Sequence, residues 1–266
     1  MATRTYQSKL FDFAFIPNYD TQIKDLAENI ADPESWDFSD VNKPSYSILK
    51  AYLEHTFRKL QVEKKIYFTA NNKIAAFNTG LVTPNLEEIV AYFEEYKNPT
   101  SVNGKNSQFY FKGFLKNSDN RILTNFSNNM PEIANYFEKP AALIFNPKCT
   151  LIPDIDHIIE DNLDRFPLHL QKSTPNEVRR QLFGAIDEVK KKVKTNYKIA
   201  IPQYYEGKIQ LLLPLCLTAG SSNPDLALVV HSLNETTYTA RTCLTLKMAY
   251  SNARLIVKPQ SSWLKP

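Results

Sequence analysis

The sequence predicts an α+β fold, with a helical N-terminal half carrying a small hairpin, packed on a C-terminal antiparallel sheet flanked by helices. Three observations carry that expectation. Apolar residues recur at helical spacing through much of the first hundred residues, four short strand-like segments follow one another between residues 197 and 244, and amphipathic helices bracket those strands. The connections between the four strands are short, so an antiparallel meander is the economical topology. With 266 residues, 43% hydrophobic and 23% charged, the chain can bury a real core. It reads as one unit, 1–266, weakly subdivided into 1–106 and 107–266.

Residues 5–42 form an irregular opening with one helical stretch near Gln22–Ile30, and the turn-rich loop Ala31–Pro44 follows. From Ser45 to Val62, Ile48, Leu49, Tyr52, Leu53, Phe57 and Leu60 mark an amphipathic helix with Lys50, Glu54 and Arg58 outward. Two short strands, Lys65–Thr69 and Lys73–Phe77, flank the Asn71-Asn72 turn. A helix followed by a hairpin is compatible with a winged helix and equally with an ordinary α+β edge. Pro84 and Asn85 open a second expected helix through Tyr96, with Leu86, Ile89, Val90 and Phe93 on one stripe. The polar stretch Lys97–Ser107 reads as an exposed loop before an aromatic strand at Phe109–Phe111, and the asparagine-rich stretch Asn117–Asn129 reads as exposed turns.

The C-terminal part carries clearer signals. Thr174-Pro175-Asn176-Glu177 is a capping box that starts a helix running to about Lys194. Strands are expected at Tyr197–Ile201, Lys208–Leu217, Asp225–His231 and Thr237–Leu244, with turns at Glu206-Gly207, Ala219–Pro224 and Asn234-Glu235. A last helix is expected near Leu246–Arg254.

Composition excludes some function classes. The 6 glycines leave no P-loop and no dinucleotide-binding loop. Three widely spaced cysteines in apolar settings read as reduced thiols and point to a cytoplasmic protein. Neither a secretory signal nor a membrane-spanning run is expected, so no membrane partner is. The net charge of +4 is too small to identify a polyanionic partner, which leaves the decision to where the cations lie. No Gly-x-Ser-x-Gly elbow is present, and no cysteine has a histidine near it in sequence.

Three clusters could carry chemistry. In Asp154–Arg165, the stripe Ile155, Ile158, Ile159, Leu163 and Phe166 places His157, Glu160, Asp161 and Asp164 together on the opposite helix face. Carboxylates beside an imidazole suit a divalent metal or an acid–base pair, whereas the competing reading is a solvated acidic face near a helix N-terminus. Zinc has no motif in its support. The capped helix sets Arg179, Arg180, Lys190, Lys191 and Lys194 opposite its apolar side, and Gln203-Tyr204-Tyr205 and Lys208 follow. Cations neutralise phosphates and rings stack on bases, although a solubilising helix face beside a packed tyrosine turn would look the same. In the last strand, strict alternation puts Thr239, Arg241 and Cys243 on one face, where Arg241 needs an anion or an internal carboxylate. Tyr250, Asn252 and Arg254 of the last helix cap that site or fix the helix to the sheet.

Through Lys9–Ala14, Phe77-Asn78-Thr79-Gly80-Leu81, Ile155–Asn162, Ile201–Tyr205, Gly207–Leu215 and Ala249–Leu255, the chain resembles a bacterial family of domains of unknown function. The resemblance spans nearly the whole length. Some relatives are joined to cold-shock-type nucleic-acid-binding modules, which implies RNA or single-stranded DNA as a partner and identifies no catalytic residue.

The expected function is therefore binding of RNA, single-stranded DNA or a nucleotide. Arg179, Arg180, Lys190, Lys191 and Lys194 would meet phosphates, and Tyr204 and Tyr205 would stack on bases. The alternative is a hydrolase or transferase acting on a phosphate ester, with His157, Glu160 and Asp161 as metal or acid–base groups and Arg241 or Lys208 on the phosphate. That enzyme requires His157, Gln203, Lys208, Arg241 and Arg254 to converge. A protein-interaction module would instead show an exposed apolar patch.

Overall fold

The α+β class holds: eight α-helices and two five-stranded mixed sheets occur among the described residues. The structure, a computed structural model, describes residues 9–38, 45–97, 107–205, 207–221, 223–259 and 263–264. These divide into two compact units, Met1–Asn135 and Tyr136–Pro266. Most of the polar stretch expected as a loop after Lys97, and part of the loop before Pro44, lie outside the described residues.

The first unit contains α1 (Leu10–Phe13), β1 (Ala14–Phe15), α2 (Tyr19–Asp25), which continues as a π-helical turn to Ile30, and α3 (Ser47–Val62). It continues with β2 (Tyr67–Phe68), β3 (Ile74–Val82), β4 (Glu88–Glu95), β5 (Phe109–Lys116) and α4 (Asn120–Phe126). The sheet order is β1-β5-β4-β3-β2, with only β1 parallel to its neighbour. The helix expected from Ser45 is α3, and it buries the apolar stripe read from the sequence. The expected hairpin is β2 with β3, but β3 continues to Val82 and pairs with β4, so helix and hairpin form the edge of a larger sheet.

Two expectations fail here for identifiable reasons. Strand β4 (Glu88–Glu95) stands where a helix through residues 84–96 was expected. Ile89 through Phe93 are each at most 2% exposed, and an amphipathic surface helix cannot bury five consecutive residues. Ala91 and Phe93 pack with Phe57, Phe77 and Phe109 on one face, while Val90 and Tyr92 pack with Ala76, Leu115, Ile122 and Phe126 on the other. Leu86, at φ 65° and exposed, sits in the turn before the strand. The asparagine-rich stretch, expected as turns, contains α4. Asp119 caps it by accepting the Arg121 N–H at 2.9 Å, and Ile122 and Phe126, one turn apart, are buried.

The Phe77–Leu81 motif holds an irregularity between β3 and β4. The register shifts between Asn78 and Val82, and the freed polar groups are satisfied locally. Asn78 Nδ2 donates to Glu88 at 2.9 Å and to the Pro131 carbonyl at 3.0 Å, while its Oδ1 accepts the Gly80 N–H at 2.9 Å. Thr79 Oγ1 donates to the Ile89 carbonyl, and Tyr52 Oη of α3 donates to the Thr79 carbonyl at 2.8 Å. Gly80 has φ 73°, and a Cβ there would lie 2.5 Å from Tyr52 Oη. The glycine is thus required twice, by backbone conformation and by close approach.

The second unit contains β6 (Thr150–Pro153), α5 (Ile155–Asn162), α6 (Leu168–Gln171), α7 (Pro175–Thr195), β7 (Ile201–Tyr205), β8 (Lys208–Leu215), β9 (Leu226–Asn234), β10 (Thr237–Thr245) and α8 (Leu246–Arg254). The sheet order is β6-β10-β9-β8-β7. The four expected strands form the antiparallel meander, and the short β6 adds a parallel edge beside β10. The first meander strand starts at Ile201, later than expected, because Tyr197 and Lys198 are exposed in the turn that leaves α7. Gly207, in the next turn at φ 81°, is described, whereas Glu206 is not.

The capping box is present in full: Thr174 Oγ1 accepts the Glu177 N–H and Glu177 accepts the Thr174 N–H at 2.8 Å. From it, α7 lays Val178, Leu182, Ile186, Val189 and Val193 on Leu211, Leu213, Leu215, Leu228 and Val230, together with Ile155 and Ile158 of α5. Each such fully buried side chain contributes roughly 1.5–3 kcal/mol. Alternation then directs Lys208, Gln210 and Leu212 of β8, and Ala227, Val229 and His231 of β9, to the opposite face. There α8 packs against β7, β9 and β10.

Gly80→Ala is expected to destabilise the first unit by about 1–3 kcal/mol, from the backbone conformation it forces. Tyr52→Phe should recover part of that loss by removing the clashing oxygen, so denaturant unfolding of the double variant should be non-additive. A second expectation concerns pH. Burial, then the charges of Arg58 and Lys59, lower the pKa of His55 from 6.5 to about 4. The unfolded chain takes up this proton first, so stability should fall as pH drops from about 6.5 towards 4. Unfolding curves of His55→Gln over that window should show a shallower fall.

Candidate functional site

A β-bulge positions an exposed cation of the second sheet, Arg241. In β10 the register with β9 shifts between Ala240 and Thr242, leaving Arg241 unpaired in the ladder. The expected alternation is broken there: Tyr238, Ala240 and Cys243 all lie in the core shared with α5 and α7. Asp154, between β6 and α5, receives Arg241 Nε at 3.4 Å on one oxygen and caps α5 by accepting the His157 N–H at 3.3 Å on the other.

His231 of β9 stands beside this arginine and opposite Thr239 in the β9–β10 register. Its pKa lies below the ordinary histidine value, first through burial and then through the charges of Lys208 and Arg241. One residue beyond the Leu211–Val230 pair lie Gln210 and His231. Lys208 on β8 and Arg241 on β10 thus bring their charges to the imidazole from the strands on either side of β9. Tyr205, exposed, is the cross-strand partner of Lys208. Neither His231 nor Tyr205 makes a side-chain hydrogen bond, and Lys208 has no ion pair, among the described residues.

Beneath this exposed end runs a relay of amides. Gln203, 1% exposed, donates from Nε2 to Gln210 Oε1 at 2.8 Å and accepts from Asn252 Nδ2 of α8 at 3.2 Å. Gln203, Gln210, Lys208, Tyr205 and His231 thus share one sheet face, and the charge of Arg241 reaches His231 from the adjacent strand. Arg254 is buried in the packing surface of α8. Tyr204, half-buried on the other face, meets Tyr136 edge-on with 5.6 Å between ring centroids.

The basic residues of α7 point away from the sheet. Lys191 pairs with Asp187 at 2.7 Å, and Arg179 lies over the exposed ring of Phe183 at 5.2 Å. Arg180, Lys190 and Lys194 have no ion pair among the described residues. The sheet separates this stripe from Lys208 and Tyr205, whereas Tyr204, half-buried, falls in the phase of the face that α7 covers. On α5, His157 Nε2 pairs with Asp161 at 3.2 Å, and Glu160 is exposed. No group of three or more His, Cys, Asp or Glu that could hold a metal occurs among the described residues. Burial pushes the Cys243 thiol up to about 12 and also raises that of Cys216, which makes both poor nucleophiles at neutral pH. A separate cleft of about 410 Å³, lined by Ile144, Tyr197, Ile201, Val257 and neighbours, contains none of the candidate catalytic or phosphate-binding residues.

Sequence reasoning missed His231 and Gln210. Both carry a usable signal, since they fall opposite in phase to Leu211, Leu213 and Leu228 on strands that were correctly expected.

The motifs described above fall on both units, from the β3 irregularity to α8, and a family model covers nearly all of this chain. The chain belongs to the DUF3825 family. The match spans residues 27–263, and the family is described as a domain of unknown function. Comparison with curated proteins and with solved structures gives no match. No helix among the described residues of this DUF3825 chain is long and apolar enough to cross a membrane.

Gln203→Ala is expected to cost about 1–3 kcal/mol, because it leaves the amides of Gln210 and Asn252 without their buried partner. Urea unfolding of the full chain measures it.

Proposed function

We propose that this DUF3825 chain binds single-stranded nucleic acid, or a nucleotide, on the open end of the second sheet. The carrying observation is that Lys208 and Arg241, on the strands either side of β9, both act on His231 between them, with the exposed ring of Tyr205 opposite Lys208. Two cations held by a rigid sheet can each meet a backbone phosphate, and an exposed tyrosine offers a stacking platform that tolerates any base. The Gln210 amide adds a hydrogen-bonding group that can reach a base edge or a ribose hydroxyl. Asp154 lies 3.4 Å from Arg241 Nε, and its single negative charge leaves the face cationic.

The helix α7 supplies a second cationic surface, but its lysines are partly answered by Asp187 and Glu188, and the ring of its Phe183 is covered by Arg179. It suits long-range attraction of a polyanion better than docking of a strand.

Fluorescence anisotropy with a labelled single strand at low salt tests this reading. Lys208→Ala with Arg241→Ala should weaken binding at least tenfold and lower the slope of log affinity against log salt by roughly 1.4, the release expected for two phosphate contacts on a single strand. Tyr205→Ala should weaken binding by about 1–3 kcal/mol with the slope unchanged. An Arg180, Lys190 and Lys194 triple alanine variant should retain most of the affinity. If that triple variant abolishes binding while the sheet variants do not, the site is on α7 and the reading is wrong.

A further inference from the structure

We propose that this same face cleaves RNA, with His231 taking the proton from a ribose 2′-hydroxyl as that oxygen attacks the adjacent phosphate held between Lys208 and Arg241. The inference rests on the binding reading and adds chemistry to it. A phosphate that bridges the two cations lies over the strand between them, which is β9, and the side chain presented there is His231. The imidazole has no hydrogen-bond partner within the protein among the described residues, so its nitrogens are available to substrate. Burial and the two neighbouring cations favour its neutral form, the form that accepts a proton. Asp154 engages Arg241 through Nε, which leaves the terminal guanidinium nitrogens for phosphate oxygens on which charge builds during attack.

A site with one base and two cations fits a substrate that carries its own nucleophile, and the 2′-hydroxyl of RNA is one. In the proposed step the 2′-oxygen–phosphorus bond forms and the phosphorus–5′-oxygen bond breaks. The 2′ proton passes to His231, and the departing 5′-oxygen takes a proton from water. The products are a 2′,3′-cyclic phosphate and a 5′-hydroxyl end, and the imidazolium then returns its proton to solvent.

The test incubates the full chain, in a metal chelator, with a labelled RNA strand, the matching DNA strand and the matching 2′-O-methyl strand. Mass spectrometry reads the new ends, and anisotropy on the 2′-O-methyl strand reads binding without cleavage. Cleavage of RNA alone, leaving 2′,3′-cyclic phosphate, is expected. His231→Gln should slow it at least about 100-fold while binding of the 2′-O-methyl strand stays within about threefold. Lys208→Ala should weaken both. Thermal unfolding verifies that each variant is folded, and His231→Asn serves if the glutamine variant is not. Binding without cleavage, cleavage of the 2′-O-methyl strand, or an undiminished rate in the folded His231 variant would each overturn the proposal while leaving the binding reading intact. Absence of binding to every strand would remove both.

Discussion

The second unit depends on a mismatch of lengths: a nine-residue helix has to cover one face of a sheet whose longest strands are also nine residues. Nine residues span about 14 Å as a helix and about 30 Å as a strand. On the opposite face α7, with 21 residues and about 32 Å of length, shares the work with α5, and the core there is continuous. On the α8 face, Ile201, Leu212, Val229 and Leu244 are buried. Beyond them, towards Tyr205, Lys208, His231 and Thr239, the face lacks that cover, and its side chains turn polar. The candidate site is what remains of the sheet once its core requirement has been met.

Arg241 owes its place to the same economy. An unbulged β10 would alternate strictly, and its core-facing residues would fall out of phase halfway along the strand. The extra residue at the bulge lets Ala240 and Cys243 both reach the core, and it sets one side chain outside the ladder. Below the bulge, Asn162 of α5 fastens the strand: its Oδ1 accepts from Thr242 Oγ1 at 2.8 Å, from Arg165 Nη1 at 2.6 Å and from the Cys243 N–H at 3.4 Å. Arg165 also donates to the Cys243 carbonyl at 2.7 Å. A buried asparagine with these contacts is a register pin, and it makes the position of Arg241 a property of packing that a sequence pattern does not show.

What was legible follows from this. α3, α7 with its capping box, α8 and three of the four meander strands are set by local periodicity and capping, and the sequence states them almost to the residue. β4 was misread because Leu86, Ile89, Val90 and Phe93 fit a helical stripe, and only the burial of Ala91 and Tyr92 as well, on two different cores, separates strand from helix. That fact is tertiary. α4 was hidden by its asparagines, whose turn preference lost to Asp119 capping and to two buried apolar residues. β6 is four residues long and exists by pairing with β10, so nothing local announces it. Among the site residues, Lys208, Gln203 and Arg241 were recognised by charge and polarity. Their grouping with His231 was not, because the expected strand Asp225–His231 ends at that histidine, which was given no face.

Hydrogen-bond accounting also fixes what the open end can offer a ligand. Three amides meet between β7, β8 and α8, and burying them without partners would cost several kcal/mol. They answer one another in a fixed direction: Asn252 donates to Gln203, and Gln203 donates to Gln210. The Gln210 carbonyl is thereby turned towards Gln203, and its amide N–H₂ makes no hydrogen bond among the described residues. Set that beside the Lys208 ammonium, the Arg241 guanidinium and the Tyr205 hydroxyl, and this end of the sheet is dominated by donors, with the Asp154 carboxylate already committed to Arg241 and to the cap of α5. A surface so composed matches the proposed phosphodiester strand, whose acceptors are anionic and so answer its two cations as well as its neutral donors.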